Sequence, residues 1–497
     1  MVGSARPVTG IVFAHGDKSK RWHAPVRRTS PRLPPVDALP GSGPGLKRDL
    51  GTLESYAILI GILIGAGIFR VTSDATVATG PSVILAHLIL APVVLASAVA
   101  YMVFLSTPLG LLPGGEILHI EKTLNNRRLT FLSAWLKIIS YLGAGAYLAD
   151  ALAVNLFELF APGWEHGVAA TRLLALGMLL LFFLVHVVGV RWVGRLQVGM
   201  CLVLAASLAI LIIPGLFAIQ ASNYRPFFTH GAAGFGAALP PLFFAYAGFE
   251  ALAQAAGEVR DSRSRLPRVF VFGILATSAI FLAMTLVALG VLPASELGAT
   301  GVPMTRAAET YLPFGAAIVV TLGAVMAVTT SLNATMLVPA RLAWLMACEG
   351  HMPVAFARLH ATARTPVFGL TVTFVIMAAL LLSGRMGLAL GIAVVALMLL
   401  YALHSLALVL LPRLNRALYE EVTIRIPRWL QLAAAWISIV AMGILVALGF
   451  SGDLRRMLET SFLPRIRDFD LTSLELLLAW VALGLLLFRW SARRPLR

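Results

Sequence analysis

Three glycines stand close together inside an apolar stretch near the start of the chain. The stretch ILIGILIGAGIFRVTSDA carries Gly61, Gly65 and Gly67 within seven residues. Glycine costs about 1 kcal/mol relative to alanine inside a helix, so a helix is easily interrupted here. Backbone N–H groups freed at a break can bind an anion, and freed carbonyl oxygens can bind an ammonium or metal ion. The alternative interpretation is close helix packing, because Gly61 and Gly65 form a small-xxx-small pair.

A second apolar stretch, PPLFFAYAGFEALAQAAGEV, has an interruption of its own, with Gly248 inside residues 245–249 and Glu250 directly after them. An unpaired, ionised carboxylate costs about 2.5–3.5 kcal/mol in the middle of a membrane, so Glu250 requires a partner or a function. Two interpretations of Glu250 stay open: gating or ion coupling at a binding site, and a hydrogen-bonded carboxyl that fixes the break. The neighbouring aromatic residues are either core packing or a gate, and they are Phe243, Phe244, Tyr246 and Phe249.

The other polar residues in apolar stretches give weaker signals. Thr330 and Ser331, within the polar cluster 329–333, either bond to carbonyls of their own helix or provide oxygen ligands for a hard cation. Asp150 and Glu158 are expected to face water near the end of a span. The histidines are isolated from one another along the chain and are expected to be packed or interfacial, and they are His87, His186 and His404.

The sequence contains no arrangement of residues typical of enzymes. The patterns G-x-S-x-G, H-E-x-x-H and G-x-x-x-x-G-K-[ST] are missing, and so is a paired-cysteine metal motif. We therefore expect neither an enzyme nor an ATP-driven pump, and no cofactor or bound metal other than a coupling ion. Cys201 and Cys348 are expected to be free thiols.

Composition places the chain in a membrane. Its 497 residues are 59% hydrophobic and only 12% charged, whereas soluble domains carry about 25% charged residues. A soluble core cannot absorb that apolar surplus, so soluble, disordered and collagen-like proteins are excluded. From residue 53 onward, twelve apolar stretches can each cross a ~30 Å hydrocarbon layer as a helix, with the polar segment 114–128 as a short interfacial helix. The predicted spans are about 53–76, 81–107, 130–157, 171–188, 195–219, 234–256, 268–292, 312–338, 366–383, 387–411, 429–449 and 471–489.

The distribution of basic residues predicts the orientation of these spans. With the N-terminus inside, 30 of the 39 Lys and Arg residues lie in inside segments, and 21 remain there when the nine in residues 1–50 are left out. This asymmetry follows the positive-inside rule, so both termini are expected in the cytoplasm and the protein in the inner or plasma membrane. Topology thereby explains the net charge of +16, and nucleic acid is not an expected partner.

Several motifs follow the glycine stretch in a characteristic order. GAGIF at 65–69 precedes Gly80 and Pro81, and FFAYAGFEALAQAAGEVRDSRSRLPR occupies 243–268. PARLAWLMACEGHMP at 339–353 is expected after the eighth helix, and TPVFGL at 365–370 is expected to open the ninth. Together these motifs resemble the amino acid–polyamine–organocation permeases over about residues 50–490. The resemblance implies an all-α membrane fold of about twelve transmembrane helices, with an inverted repeat of five plus five helices, broken helices 1 and 6, and two C-terminal helices.

The predicted division of the chain follows from this fold. Residues 1–50 are basic and rich in Pro, Gly and Ser, and predict a disordered cytoplasmic tail, with an early start codon or an organelle transit peptide as alternatives. The later segments are the first five-helix repeat, the second, inverted repeat, two additional helices and a cytoplasmic tail, at 51–220, 230–412, 427–490 and 491–497 respectively.

The resemblance also implies a substrate site where the two broken helices meet, as interrupted segments in matching halves of a transporter indicate. Backbone N–H groups around Gly65, Ala66 and Gly67, with Ile68 following, would hold a substrate carboxylate. A zwitterionic amino acid suits the site because its two charges lie a few ångströms apart.

The resemblance further implies where the other end of such a substrate binds. Carbonyl oxygens near Leu63, Phe244 and Ala247 would hold its ammonium group. Phe244 falls where related permeases place a gating aromatic residue, and Glu250 falls on an acidic position that is linked to coupling in some members.

One departure from the family concerns the coupling ion. Many proton-dependent members carry a lysine in the fifth helix, and this chain has Leu204 at the position that we align with it. Thr330 and Ser331 would then serve a sodium site, or the protein would exchange substrates without an ion. Without that ammonium group the lysine-dependent mode of proton coupling is not expected, and the choice of coupling ion stays open between Na⁺ and H⁺.

We predict a permease that moves an amino acid or related amine by alternating access, as a symporter or an antiporter. Apart from Glu250 the site is mostly neutral, which favours a neutral or cationic substrate. The alternative is a non-transporting membrane sensor or binding subunit with the same fold. A channel is less favoured because the sequence shows no ring of charges and no filter motif. The expected partners are a small-molecule substrate and the lipid bilayer, and the sequence leaves the oligomeric state open.

Overall fold

The computed structural model describes residues 50–65, 67–161, 164, 167–188, 193–360, 365–459 and 471–492. The predicted N-terminal tail, apart from Leu50, lies outside the described residues, and so does the C-terminal tail beyond residue 492. Within the described residues the chain is helical and has no strand, with one isolated parallel bridge between Leu50 and Val259.

The first part of the described chain contains seven α-helices. They are α1 (Thr52–Leu63), α2 (Thr72–Thr79), α3 (Val83–Leu105), α4 (Gly115–Leu124), α5 (Arg127–Phe160), α6 (Val168–Val188) and α7 (Val193–Gly215). A π-helical turn occupies Gly67–Val71, and short 3₁₀ turns occupy Gly80–Ser82, Pro108–Leu111 and Ala221–Tyr224.

The second part of the described chain contains eleven α-helices. They are α8 (Gly231–Phe243), α9 (Glu250–Gln254), α10 (Ser262–Val291), α11 (Ala294–Ala299), α12 (Pro303–Glu309), α13 (Phe314–Cys348), α14 (Val367–Leu382), α15 (Met386–Leu414), α16 (Arg416–Glu420), α17 (Arg428–Glu459) and α18 (Ser473–Ala492). Three 3₁₀ turns occupy Phe244–Tyr246, Ala256–Glu258 and Val354–Ala357.

The predicted spans correspond to helices of this structure. In the described chain, ten helical regions are long and apolar enough to cross a membrane, and the first of them, Phe69–Leu105, covers the last eight residues of predicted span one and most of span two. Predicted spans one and nine contain the shorter apolar helices α1 and α14, of 12 and 16 residues. Helix α1 is short because its span is broken after Leu63. The protein is thus an all-α, multi-pass membrane protein.

One predicted helix end is wrong. The motif at 339–353 was expected to follow the eighth helix, but α13 continues through Cys348 and includes most of it. The residues after Pro339 are mostly strong helix formers, which favours continuation. Gly350, with φ of 75°, lies just beyond the end of α13, where a left-handed residue commonly closes a helix.

Helix α5 lies at the centre of the bundle and positions the site. It packs against α13 and α15, and also contacts α4, α6 and α14. The predicted polar helix at 114–128 is present as α4, and its residues Glu116 and His119 are buried against the bundle. A face of α4 therefore belongs to the protein interior.

Candidate functional site

The two predicted interruptions are present and lie against each other. The first separates α1 from the π-helical turn that starts at Gly67, and the second separates α8 from α9 through a 3₁₀ turn and the extended residue Ala247. A Cβ atom on Gly67 would collide with the Cα atom of Ala245, so only glycine allows the two breaks to approach this closely. Gly248 has φ of 110°, a conformation that other residues rarely adopt.

A cavity lies beside the two breaks and brings together most of the predicted site residues. Those that line it are Leu63, Gly65, Gly67, Phe244, Ala247, Glu250 and Ser331. Ala66 lies outside the described residues, and Ile68 belongs to the π-helical turn, where its side chain is not described. Thr330 neighbours Ser331 on α13 and is buried beside the cavity.

The wall opposite the breaks was missed by the sequence analysis. Helix α5 contributes Ser140, Tyr141, Ala144 and Leu148, while α13 adds Thr335 and α15 adds Ala393 and Leu397. The α5 residues recur at intervals of three to four, which places them on one face of a helix. Small residues at that spacing are common in membrane helices, so the sequence alone offered no reason to select them.

Glu250 is bound by three donors and fixes the second break. Its Oε1 accepts a hydrogen bond from the hydroxyl of Tyr141 at 2.9 Å. Its Oε2 accepts one from the hydroxyl of Tyr401 at 2.5 Å and one from the backbone N–H of Gly248 at 2.9 Å. The Glu250 side chain is 1% exposed, although it borders the cavity. The hydrogen bonds agree with a carboxyl that fixes the break, and the position beside the cavity agrees with gating or ion coupling, so both predicted interpretations fit.

Phe244 is held on the other side of the cavity by a chain of contacts. Its ring packs edge-to-face against Tyr147, with the ring centroids 5.8 Å apart. The hydroxyl of Tyr147 donates to Asp74 Oδ2 at 2.9 Å, and Arg70 Nε lies 4.0 Å from the same carboxylate. Arg70 also donates to the carbonyl of Gly301 at 3.4 Å. Phe244 is thus connected, through Tyr147, to the π-helical turn, to α2 and to the segment before α12.

The hydroxyls of Thr330 and Ser331 meet the end of α1. Thr330 donates to the carbonyls of Ala327 at 2.8 Å and Gly61 at 3.3 Å. Ser331 contacts the carbonyls of Ala327 at 3.2 Å and Ile62 at 3.3 Å. Both predicted interpretations fit these contacts, because the hydroxyls bond within their own helix and also stand beside carbonyls freed at the break.

The three predicted histidines are buried and packed, and one of them contacts a further histidine. His87 and His186 are buried, and His87 Nδ1 lies 3.1 Å from the hydroxyl of Tyr246. His404 Nε2 lies 3.0 Å from Nδ1 of His119, a histidine that the sequence analysis did not consider. Helix α4 brings His119 back into the bundle although 285 residues separate the pair. In the described chain, no group of three His, Cys, Asp or Glu residues could hold a metal ion.

The remaining expectations concern single positions. Leu204, aligned with the lysine of many proton-dependent members, is a buried residue of α7. Of the two acids expected to face water, Asp150 is half-buried, and Glu158 is paired with Arg306 at 3.5 Å. Cys201 and Cys348 are free thiols.

A buried ion pair next to the site also escaped the sequence analysis. Lys137 on α5 pairs with Glu116 on α4, and neither side chain is exposed. Lys137 Nζ also lies 5.6 Å from the ring centroid of Tyr141, which bonds to Glu250. The available signal was a lysine inside an otherwise apolar predicted span, since such a charge requires a partner.

Comparison with known proteins places the chain among transporters. The family model of amino acid permeases matches residues 50–463, which is most of the chain. The methylthioribose transporter of Bacillus subtilis is 27% identical over 338 residues, covering 65% of this chain and 72% of that protein. The chloroplastic cationic amino acid transporter 9 of Arabidopsis thaliana is 27% identical over 366 residues, covering 69% and 64%.

A third relative has a different named substrate. The branched-chain amino acid permease BcaP of Bacillus subtilis is 24% identical over 350 residues, covering 65% of this chain and 71% of that protein. These relatives are named as transporters, and the family match extends from the first broken span to the end of α17. The chain therefore belongs to the amino acid permease family and is a membrane transporter rather than an enzyme.

Proposed function

We propose that this permease carries amino acids with uncharged side chains by alternating access, binding them where the two broken spans meet. The observation that carries the proposal is the cavity that both breaks border, with Gly67 packed against Ala245 at its edge. In this proposal the N–H groups around residues 65–68 bind the substrate carboxylate. Carbonyls near Leu63, Phe244 and Ala247 bind its ammonium group.

The side-chain class follows from the lining of the cavity. Among the described lining residues, Glu250 is the one charged side chain, and three donors already occupy its oxygens. It is therefore poorly placed to pair with a cationic substrate side chain. The wall opposite the breaks is formed largely by Ala144, Leu148, Ala393 and Leu397, which suits an aliphatic group. The relatives' names include both uncharged and cationic substrates, so the lining is the deciding argument.

The cycle places Glu250 and Phe244 at opposite sides of the substrate. Opening on the Glu250 side would require Tyr141 and Tyr401 to leave its carboxylate. Opening on the other side would require Phe244 to leave Tyr147. Binding energy from the substrate would favour closure of both contacts, as alternating access requires. We place the protein in the cell membrane with both termini in the cytoplasm.

The coupling ion is proposed to be a proton rather than sodium. Sodium at Thr330 and Ser331 is the other candidate, because their hydroxyls stand beside the carbonyls of Gly61 and Ile62. Those hydroxyls already donate to carbonyls of α1 and α13, so the contacts there are satisfied by hydrogen bonds without a sodium ion. This supports the proton.

Uptake into liposomes tests the proposed function. Purified protein is reconstituted, and labelled leucine, alanine, lysine and glutamate are compared, with and without ion gradients. We expect saturable uptake of leucine and alanine, and little uptake of lysine or glutamate. Preferred uptake of lysine would contradict the side-chain class. Binding without uptake across a broad amino acid panel would contradict transport and would identify a sensor.

A further inference from the structure

Three charged side chains form a closed cluster between the substrate cavity and helix α4. They are Glu116 on α4, Lys137 on α5 and Glu250 on α9. Their residues are 0%, 0% and 1% exposed, so water does not neutralise their charges in this conformation. Two carboxylates face one ammonium group, and the fully ionised cluster carries a net charge of −1.

The cluster is continuous through short contacts. Lys137 pairs with Glu116 Oε1 and lies 5.6 Å from the ring centroid of Tyr141. The hydroxyl of Tyr141 donates to Glu250 Oε1 at 2.9 Å, which links the ion pair to the second carboxylate. The two carboxylates also act on each other electrostatically, with Lys137 as the counter-charge of Glu116.

The groups around the cluster do not supply a second positive charge. Three tyrosines and a histidine pair face it from α3, α4, α5 and α15, namely Tyr101, Tyr141, Tyr401, His119 and His404. Burial, together with the charge of Lys137, lowers the pKa of His119 to about 3. His119 is therefore neutral at physiological pH, and its Nδ1 shares a hydrogen bond with His404.

An unbalanced charge in a closed interior is costly, and a buried group takes up or loses a proton to avoid that cost. We propose that this conformation of the permease holds one proton on the Glu116–Lys137–Glu250 cluster. The proton belongs to the cluster as a whole, because its binding depends on the sum of all three charges.

The geometry places the proton on Glu116. Both oxygens of Glu250 already accept hydrogen bonds, from three donors in all, which leaves little room for a proton on that carboxyl. Glu116 has Lys137 at Oε1, whereas Oε2 is buried with no donor of the described chain in good hydrogen-bond geometry, although the Tyr101 hydroxyl lies near the carboxyl. Burial raises the pKa of Glu116 above its usual value despite the attraction of Lys137. Lys137 is then left as the counter-charge of Glu250, and Tyr141 contacts both of them.

The proton connects the cluster to transport, a step that rests on the proposed function. Opening the Glu250 side would admit water, remove the penalty for net charge and release the proton. By linkage, the conformation that binds the extra proton is favoured as pH falls. Each time this side opens, the cluster would then release one proton as the cavity becomes accessible from that side.

Infrared spectroscopy on the full-length protein in liposomes tests the proton directly. A protonated carboxyl shows a carbonyl stretch that shifts when H₂O is replaced by D₂O, and a carboxylate does not. At neutral pH we expect one such band that is lost in Glu116→Gln and also in Glu250→Gln, because either change leaves a balanced pair. The double variant E116Q/K137Q leaves Glu250 without a counter-charge and should regain the band. Glu121→Gln, which removes a partly exposed carboxyl of α4 that pairs with Lys122, should leave the band unchanged.

Each result decides between distinct conclusions. Absence of the band in the wild type overturns the proposal, and that measurement needs no variant to fold. Loss of the band in Glu116→Gln with no change in Glu250→Gln also overturns it, since charge balance would then not govern the proton. The expected bands without any amino acid uptake would leave the proton site standing and reject the transport function. Uptake by a wild type that lacks the band would reject only this inference.

Discussion

The hydroxyl of Tyr401 on α15 donates a 2.5 Å hydrogen bond to Glu250 at the start of α9. This contact joins the broken sixth span to a helix that lies 151 residues further along the chain. Tyr141 makes the matching contact from α5, so three helices converge on one carboxylate. The start of α9 is therefore tied to α5 and α15 through one carboxylate.

Removing the Tyr401 hydroxyl should destabilise the protein. In Tyr401→Phe we expect the free energy of unfolding to fall by about 1.5–3 kcal/mol, as for a hydrogen bond to a charged group. Thermal unfolding of the purified protein measures the change. Tyr56→Phe on α1 is the control, because that residue is only partly buried and its hydroxyl lies away from Glu250, so its loss should cost little. Equal effects of the two changes would contradict the role assigned to this contact.

Filling the first break should abolish substrate binding. The side chain in Gly67→Leu would collide with Ala245 and push the two breaks apart. We expect no detectable binding of labelled leucine by the purified variant. Gly177→Leu on α6 is the control, since a Cβ there has open space around it. A Gly67→Leu protein with normal affinity would show that the substrate binds elsewhere.

Enlarging a residue on the opposite wall should change the preferred substrate. Ala144→Leu narrows the cavity, so uptake of leucine should fall at least about tenfold relative to uptake of alanine. The ratio of the two uptake rates is measured within one liposome preparation, which cancels differences in protein amount. Ala482→Leu, on the exposed surface of α18, should leave that ratio unchanged. An unchanged ratio in Ala144→Leu would show that α5 does not contact the substrate side chain.

Ion replacement distinguishes the two candidate coupling ions. When sodium is replaced by choline at fixed pH, we expect unchanged uptake of leucine, and we expect uptake to follow an imposed pH gradient. Ser331→Ala should not alter the dependence of uptake on sodium, because no sodium is bound there in this proposal. The opposite result would be lower uptake in choline than in sodium for the wild type, with no such difference in Ser331→Ala. It would assign coupling to a sodium site at Thr330 and Ser331.

Local sequence was sufficient to predict the two breaks. The signals were the glycine spacing around Gly65 and the acid directly after residues 245–249. Both signals are local in the sequence, and the structure has interruptions at both places. Local sequence was less reliable at the end of α13, where strong helix formers carried the helix ten residues beyond the predicted end.

Apolar composition and helical spacing determined by themselves that the chain is a multi-pass membrane protein with broken spans, because these properties depend on the solvent and on local backbone cost. Which residues meet across the bundle was decided only by tertiary structure. Tyr401 and Tyr141 reach Glu250 from distant helices, and α4 carries Glu116 to Lys137. Such pairings depend on the packing of whole helices, and a buried charge shows only that a partner exists. The folded bundle decides which partner it is.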